Sequence, residues 1–307
     1  MGATGPMSGR GSALRRALAM AGALCLAVCV GGGAMARDGS PPGAAIEVVD
    51  DRGRSIRLAA PARRTETVCA LDACDRLVGV DRSSNWPLSI ALLPRLGGME
   101  DTVIERVVAL RPDLVLAAAS TRAVERMESL GLTVVALEPK GYADTRRVIG
   151  VVAQLVGRDA EGAAVWAGIE ARIEAAARRV PASMRGTRVY VEVSDAPHAA
   201  GEASFIGETL RRLGLGNIVP ASLGPFPQLN PEFVVRAAPE LIIASERGLA
   251  SIRTRPGWAD VPAVRTHRLC GFDGPRYDTL VRPGPRLGEA AELLADCTAR
   301  GTGGPAR

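Results

Sequence analysis

Aromatic side chains are scarce, ten in 307 residues and 3% of the chain. With 47% of the residues hydrophobic, the core has to be built from Ala, Val, Leu and Ile, and each ring can be weighed singly. Histidine is scarcer still. His198 and His267 are too few for an all-protein His cluster, which disfavours a site for bare zinc or manganese. Lys140 is the one lysine among 38 basic residues. The arginines are scattered among 33 acids without a basic stripe, which argues against nucleic-acid binding. The apolar run 17–30 falls short of the roughly 20 residues needed to span a bilayer. Gly-x-Ser-x-Gly, a Gly-Lys-Ser/Thr phosphate loop, Gly-x-Gly-x-x-Gly, His-Glu-x-x-His and Cys-x-x-Cys are all missing. No nucleophile, base and orienting group can be assembled, so the chain reads as a non-enzyme, with a secreted α/β hydrolase as the weaker alternative.

What is present begins with a leader. Residues 1–36 carry Arg10, Arg15 and Arg16 without an acid, then the apolar run, then Ala34-Met35-Ala36. That pattern reads as a signal peptide cut before Arg37, which implies export to the periplasm. Removal of three arginines from the formal charge of +5 leaves a mature charge of +2. Cys69, Cys74, Cys270 and Cys297 then lie in an oxidising compartment. Cys270 follows a strand-like stretch and Cys297 ends the last helix, so these two are the disulfide candidate. Cys69 and Cys74 lie five apart in a stretch that reads as helix. An axial rise of ~7.5 Å strains the disulfide limit there, and the pair reads as buried free thiols.

After a Pro/Gly/Ser linker at 37–45, the segment 46–58 reads as a hairpin turning at Asp51-Arg52-Gly53. Strand-like runs at 77–80, 114–117 and 133–137 then alternate with helical patterns at 103–110 and 122–130. This is the signature of an α/β layer with a buried parallel sheet. The divisions are an N-terminal α/β lobe at 46–142, a helical connection at 143–180, a C-terminal α/β lobe at 181–299 and a flexible tail at 300–307. An internal match makes the two lobes specific. Residues 104–117 align without gaps to 231–244, with six of fourteen positions identical and three conservative. Each copy is a short helix opening on a glutamate, a proline that stops it, an acid and a buried strand.

The run Glu-x-Val-Val-x-Leu-x-Pro-Asp-Leu-Val at 105–115, Leu77-Val78-Gly79-Val80, Ser204-Phe205-Ile206-Gly207-Glu208-Thr209-Leu210 and Arg282-Pro283-Gly284-Pro285-Arg286 carry a resemblance. Over residues 46–297 the chain resembles the helical-backbone (class III) periplasmic binding proteins, the receptors of ABC importers for vitamin B12, iron-siderophores and haem. The resemblance implies two Rossmann-like α/β lobes joined by a single long backbone helix, with the ligand cleft between them. It also implies a monomer that hands a small molecule to a dimeric permease and holds no resident cofactor or metal. Relative to that family about eight residues are absent after Arg64, where relatives have the first sheet strand and a ligand-facing loop.

The resemblance assigns Glu105 and Glu232 to permease docking; the bland reading is an acid complementing a helix dipole. It places ligand contacts at Trp86, before Pro87, and at Phe226, between Pro225 and Pro227. Asp278 and Arg282 match a polar pair facing the ligand, or form an ordinary i, i+4 surface ion pair. Tyr277 is either a haem ligand or a ring supporting its loop. Trp166, Tyr190 and Phe233 fall on regular elements and read as core. Siderophores favour arginine clusters, haem an axial Tyr or His, and corrinoids ring contacts with few charges; Phe226 with the Asp278/Arg282 pair inclines to cobalamin.

Overall fold

The computed structural model describes residues 27–28, 46–58, 65–194 and 198–299. The expected linker, the tail and all of the leader except Ala27 and Val28 lie outside the described residues.

Strands β2 (Ile46–Val49) and β3 (Ser55–Leu58) form an antiparallel hairpin in the register Val49↔Ser55, following β1 (Ala27–Val28) in chain order. The buried Asp50 carboxylate locks the turn by accepting the backbone N–H groups of Arg52 and Arg54, each at 3.0 Å. Burial opposes its ionisation, but the Arg54 and Arg52 donors outweigh that and hold it below the usual carboxylate range.

The N-terminal lobe continues with α1 (Thr65–Ala70), α2 (Ile104–Ala109), β4 (Val115–Ala117), α3 (Val124–Ser129) and β5 (Val134–Ala136). Strands β4 and β5 are parallel, and β1 pairs antiparallel with the far edge of β4 through Ala27↔Leu116 and Val28↔Val115. Ala27 and Val28 fall within the expected leader. Along β4, Leu114 and Leu116 pack to one side and Val115 and Ala117 to the other. Such two-sided burial explains the unbroken apolar run.

The strand expected at 77–80 does not form. Only Val80 is bridged, to Arg95, with its N–H on the Pro94 carbonyl. A four-residue apolar run is satisfied here by packing alone, since Leu77 and Val80 are buried in the lobe core. The free-thiol reading of Cys69 and Cys74 is also overturned, because the two form a disulfide with Cα atoms 4.2 Å apart. Helix α1 stops at Ala70, and Asp72 at φ 59° turns the chain back, so the cysteines do not share one helical axis.

Helices α4 (Tyr142–Leu155) and α5 (Asp159–Arg179) join the lobes. With 21 residues, α5 is about 31 Å long. Val165 on α5 packs against the cores of both lobes, and Trp166, Ile169 and Ile173 continue into the C-terminal one. Gly162 lets α5 approach α4 closely, since a Cβ there would lie 2.5 Å from that of Ala153.

In the C-terminal lobe the elements are β6 (Arg188–Ser194), β7 (His198–Ala199), α6 (Phe205–Arg212), β8 (Gly216–Asn217), α7 (Pro231–Ala237) and β9 (Leu241–Ser245). They are followed by α8 (Glu246–Thr254), α9 (Pro262–Arg265), β10 (Leu269–Phe272), α10 (Gly274–Val281) and α11 (Leu287–Ala299). The sheet order is β10-β9-β6-β7, with β8 also on β6; β7 alone is antiparallel. Val189, Val191 and Ile243 face the layer of α5, α6 and α11, whereas Tyr190, Ile242 and Ala244 face the opposite layer with Trp258. Cys270 on β10 is disulfide-bonded to Cys297 on α11, tying the sheet to the last helix.

The internal match extends to backbone conformation. Arg111 after α2 has φ 46° and Ala238 after α7 has φ 47°, both non-glycine residues in left-handed conformation just before the proline. The aligned Val107 and Val234 are both fully buried. The two lobes thus carry the same helix-stop-strand unit in the same geometry.

Candidate ligand site between the lobes

Helix α10 starts where the Asp273 side chain accepts the N–H of Arg276 at 3.0 Å, with Pro275 in its first turn. Its buried face carries Tyr277, Leu280 and Val281 into the C-terminal core. The charged residues Asp278 and Arg282 are thereby aimed at the N-terminal lobe, where both meet Asn85. Their ion pair is 2.8 Å long, and the Arg282 side chain is only 10% exposed, so it is not an ordinary surface pair.

Opposite lies the loop 81–87. The Asp81 carboxylate accepts the N–H groups of Ser83 and Ser84 and the Ser84 hydroxyl, and the Arg95 guanidinium donates to the carbonyls of Asp81 and Ser84. This clamp presents Asn85 and Trp86 across the gap. The Asn85 amide donates to Asp278 Oδ2 and accepts from Arg282 Nη1, both at 2.8 Å. Glu66 on α1 completes the bridge, with Oε1 3.3 Å from Arg282 Nη1 and 3.3 Å from Arg286 Nη2. The Arg286 guanidinium lies over the Trp86 ring, 5.2 Å from its centroid.

Trp86, Asp278 and Arg282 are therefore brought together, in company with Glu66, Asn85 and Arg286. Arg286 was visible within the Arg-Pro-Gly-Pro-Arg motif. Glu66 and Asn85 act across 216 and 197 residues of chain, and no local pattern marks them.

Phe226 sits in a separate C-lobe loop. The Pro225 and Pro227 carbonyls accept the N–H groups of Gly201 and Ala199, and its half-buried ring tilts against Phe205 at 5.8 Å. Tyr277 is buried on α10, not in a loop, and donates its hydroxyl to the Glu192 carbonyl at 2.8 Å, which ties that helix to the central strand β6. Trp166 and Tyr190 are buried in the core, and Phe233 is partly so.

Glu105 and Glu232 both lie exposed in the first turns of α2 and α7, one on each lobe; Glu232 pairs with its helix neighbour Arg236 at 3.7 Å. Among the described residues no group of three or more His, Cys, Asp or Glu is placed to hold a metal ion, and no helix is long and apolar enough to cross a membrane.

The geometry is that of a polar seam between two α/β lobes, in which Glu66 and Asn85 from one side meet Asp278, Arg282 and Arg286 from the other. Comparison with known proteins agrees. Residues 60–274 match the Periplasmic binding protein family. An uncharacterized ABC transporter substrate-binding lipoprotein, YvrC of Bacillus subtilis, is 26% identical over 76% of each chain. The vitamin B12-binding protein of Vibrio cholerae is 26% identical over 80% of this chain and 88% of its own. Among solved structures, the periplasmic heme-binding protein BhuT in complex with two hemes aligns with a TM-score of 0.65 and 28% identity, over 76% of this chain and 94% of that one. With the two lobes, the cleft between them and the long connecting helix in place, the chain belongs to the periplasmic binding protein family of ABC-transporter receptors.

Proposed function

We propose that this protein captures a corrinoid in the periplasm and delivers it to an ABC importer, with Trp86, Phe226, Asp278 and Arg282 among the residues that hold the ligand. The carrying observation is the charge balance of the inter-lobe seam. Two carboxylates, Glu66 and Asp278, are matched by two guanidiniums, Arg282 and Arg286, with the Asn85 amide between. A corrin ring is rimmed by uncharged carboxamides, each both donor and acceptor. A seam that offers both in equal measure beside an indole ring suits such a rim, whereas anionic haem or a ferric catecholate siderophore calls for excess positive charge. The likeness to the B12-binding protein of Vibrio cholerae supports the same reading.

A haem receptor is the second reading, favoured by the likeness to BhuT. Axial ligation by Tyr277 would require its buried hydroxyl to leave the Glu192 carbonyl, which weighs against it.

Delivery involves Glu105 and Glu232. One exposed carboxylate at the same place in each lobe gives a two-subunit permease one contact per subunit.

Cyanocobalamin is expected to quench the tryptophan fluorescence, and replacing half-buried Trp86 with alanine should weaken its binding about tenfold. Phe226→Ala should weaken binding about tenfold, the loss of one aromatic contact. Unchanged affinity in Trp86→Ala would remove Trp86 from the site, and unchanged affinity in Phe226→Ala would remove Phe226.

A further inference from the structure

We infer that Glu66 sets the charge class of ligand this cleft accepts, an inference that rests on the receptor reading above. Arg286 makes its position clear. One terminal nitrogen donates to the Thr279 hydroxyl, the other faces Glu66, and its Nε is buried without a hydrogen-bond partner. Among the described residues Glu66 is the one carboxylate paired with Arg286, and through the same oxygen it shares Arg282 with Asp278. The side chains of Glu66, Arg282 and Arg286 are only 10 to 12% exposed, so water screens this balance poorly.

Glu66 is also held in place. Its neighbours Thr67 and Val68 are buried in the N-terminal lobe, and Cys69 on the same short helix is disulfide-bonded to Cys74. The carboxylate is thus presented to the other lobe by a pinned backbone, as a resident counter-anion for two guanidiniums beside Trp86. While it is charged, an incoming carboxylate or other anion meets a neutral seam and must displace Glu66 to reach the arginines. A carboxamide-rimmed ligand has no such competitor. Removing the Glu66 charge leaves the seam at +1 and opens it to anions.

The test uses hemin and hemin dimethyl ester, which differ only in whether two carboxylates are free. Glu66→Gln is expected to bind hemin about tenfold or more tightly than the wild type, with no such gain for the ester. Glu66→Gln combined with Arg286→Gln restores neutrality and should cancel the gain. Arg286→Gln alone takes the seam to −1 and should weaken hemin about tenfold, an arm that does not depend on the folding of Glu66→Gln. Equal hemin affinity in wild type, Glu66→Gln and Arg286→Gln would overturn the inference, as would a gain shared by the ester. Failure of cyanocobalamin to bind the wild type would overturn the corrinoid reading alone, since the contrast between hemin and its ester decides the role of Glu66 in either case.

Discussion

Replacing Arg255 with methionine should lower the unfolding free energy by about 3–5 kcal/mol, because it strands a buried carboxylate. Glu192 on the central strand β6 is 2% exposed, and Arg255 clamps it in two hydrogen bonds of 2.8 and 3.0 Å. Tyr190 donates a third at 2.9 Å, and the guanidinium stacks 4.4 Å over Trp258. Burial opposes the charge on Arg255, yet the Glu192 carboxylate more than compensates and raises its pKa above the ordinary arginine value. Burial drives the Tyr190 hydroxyl well above its ordinary pKa, so it stays a proton donor to that carboxylate. Methionine fills much of the arginine's volume but supplies no donor. The melting temperature should fall on the order of 10 °C. Replacing Glu192 with glutamine in the same chain should recover part of the loss, since the stranded charge is then gone. An unchanged melting temperature for Arg255→Met would show that water reaches Glu192 and that the pair contributes little.

The second large effect concerns delivery. Combining Glu105→Ala with Glu232→Ala should reduce importer-dependent uptake about 100-fold or more, while ligand affinity of the purified protein stays the same. Both side chains are exposed, and neither belongs to the seam described above. Their helices are short and rest on buried Val107 and Val234, which the substitutions leave in place. Uptake in cells and calorimetry on the isolated protein separate the two quantities. If affinity fell alongside uptake, these glutamates would belong to ligand binding; if uptake survived, docking would lie elsewhere.

Much of the fold could be read from residue order because it is written locally. The helix-proline-strand unit recurs 127 residues later, and both copies adopt the same left-handed residue before the proline, at Arg111 and Ala238. The linking helices follow from a long helix-forming stretch broken once near Gly157, with Trp166, Ile169 and Ile173 on one face of its second half. What escaped is what depends on chain reversal or on distant partners. Asp72 turns the backbone between Cys69 and Cys74, and a non-glycine residue at positive φ leaves little trace in sequence. The pairing of β1 with β4 joins segments almost 90 residues apart and involves only two residues of each strand. At the site, the loop aromatic Trp86 and the Asp278/Arg282 spacing stood out singly. The counter-charge that gives those arginines their meaning, Glu66, sits more than 200 residues earlier in an unremarkable short helix.

Corrinoid capture is tested most directly by calorimetric titration of the purified protein with cyanocobalamin, with hemin and a ferric catecholate siderophore in parallel. The charge-balanced seam predicts saturable one-to-one binding of cyanocobalamin, at least tenfold tighter than either anionic ligand. No heat with cyanocobalamin, together with clear saturation by hemin or the ferric siderophore, would contradict it.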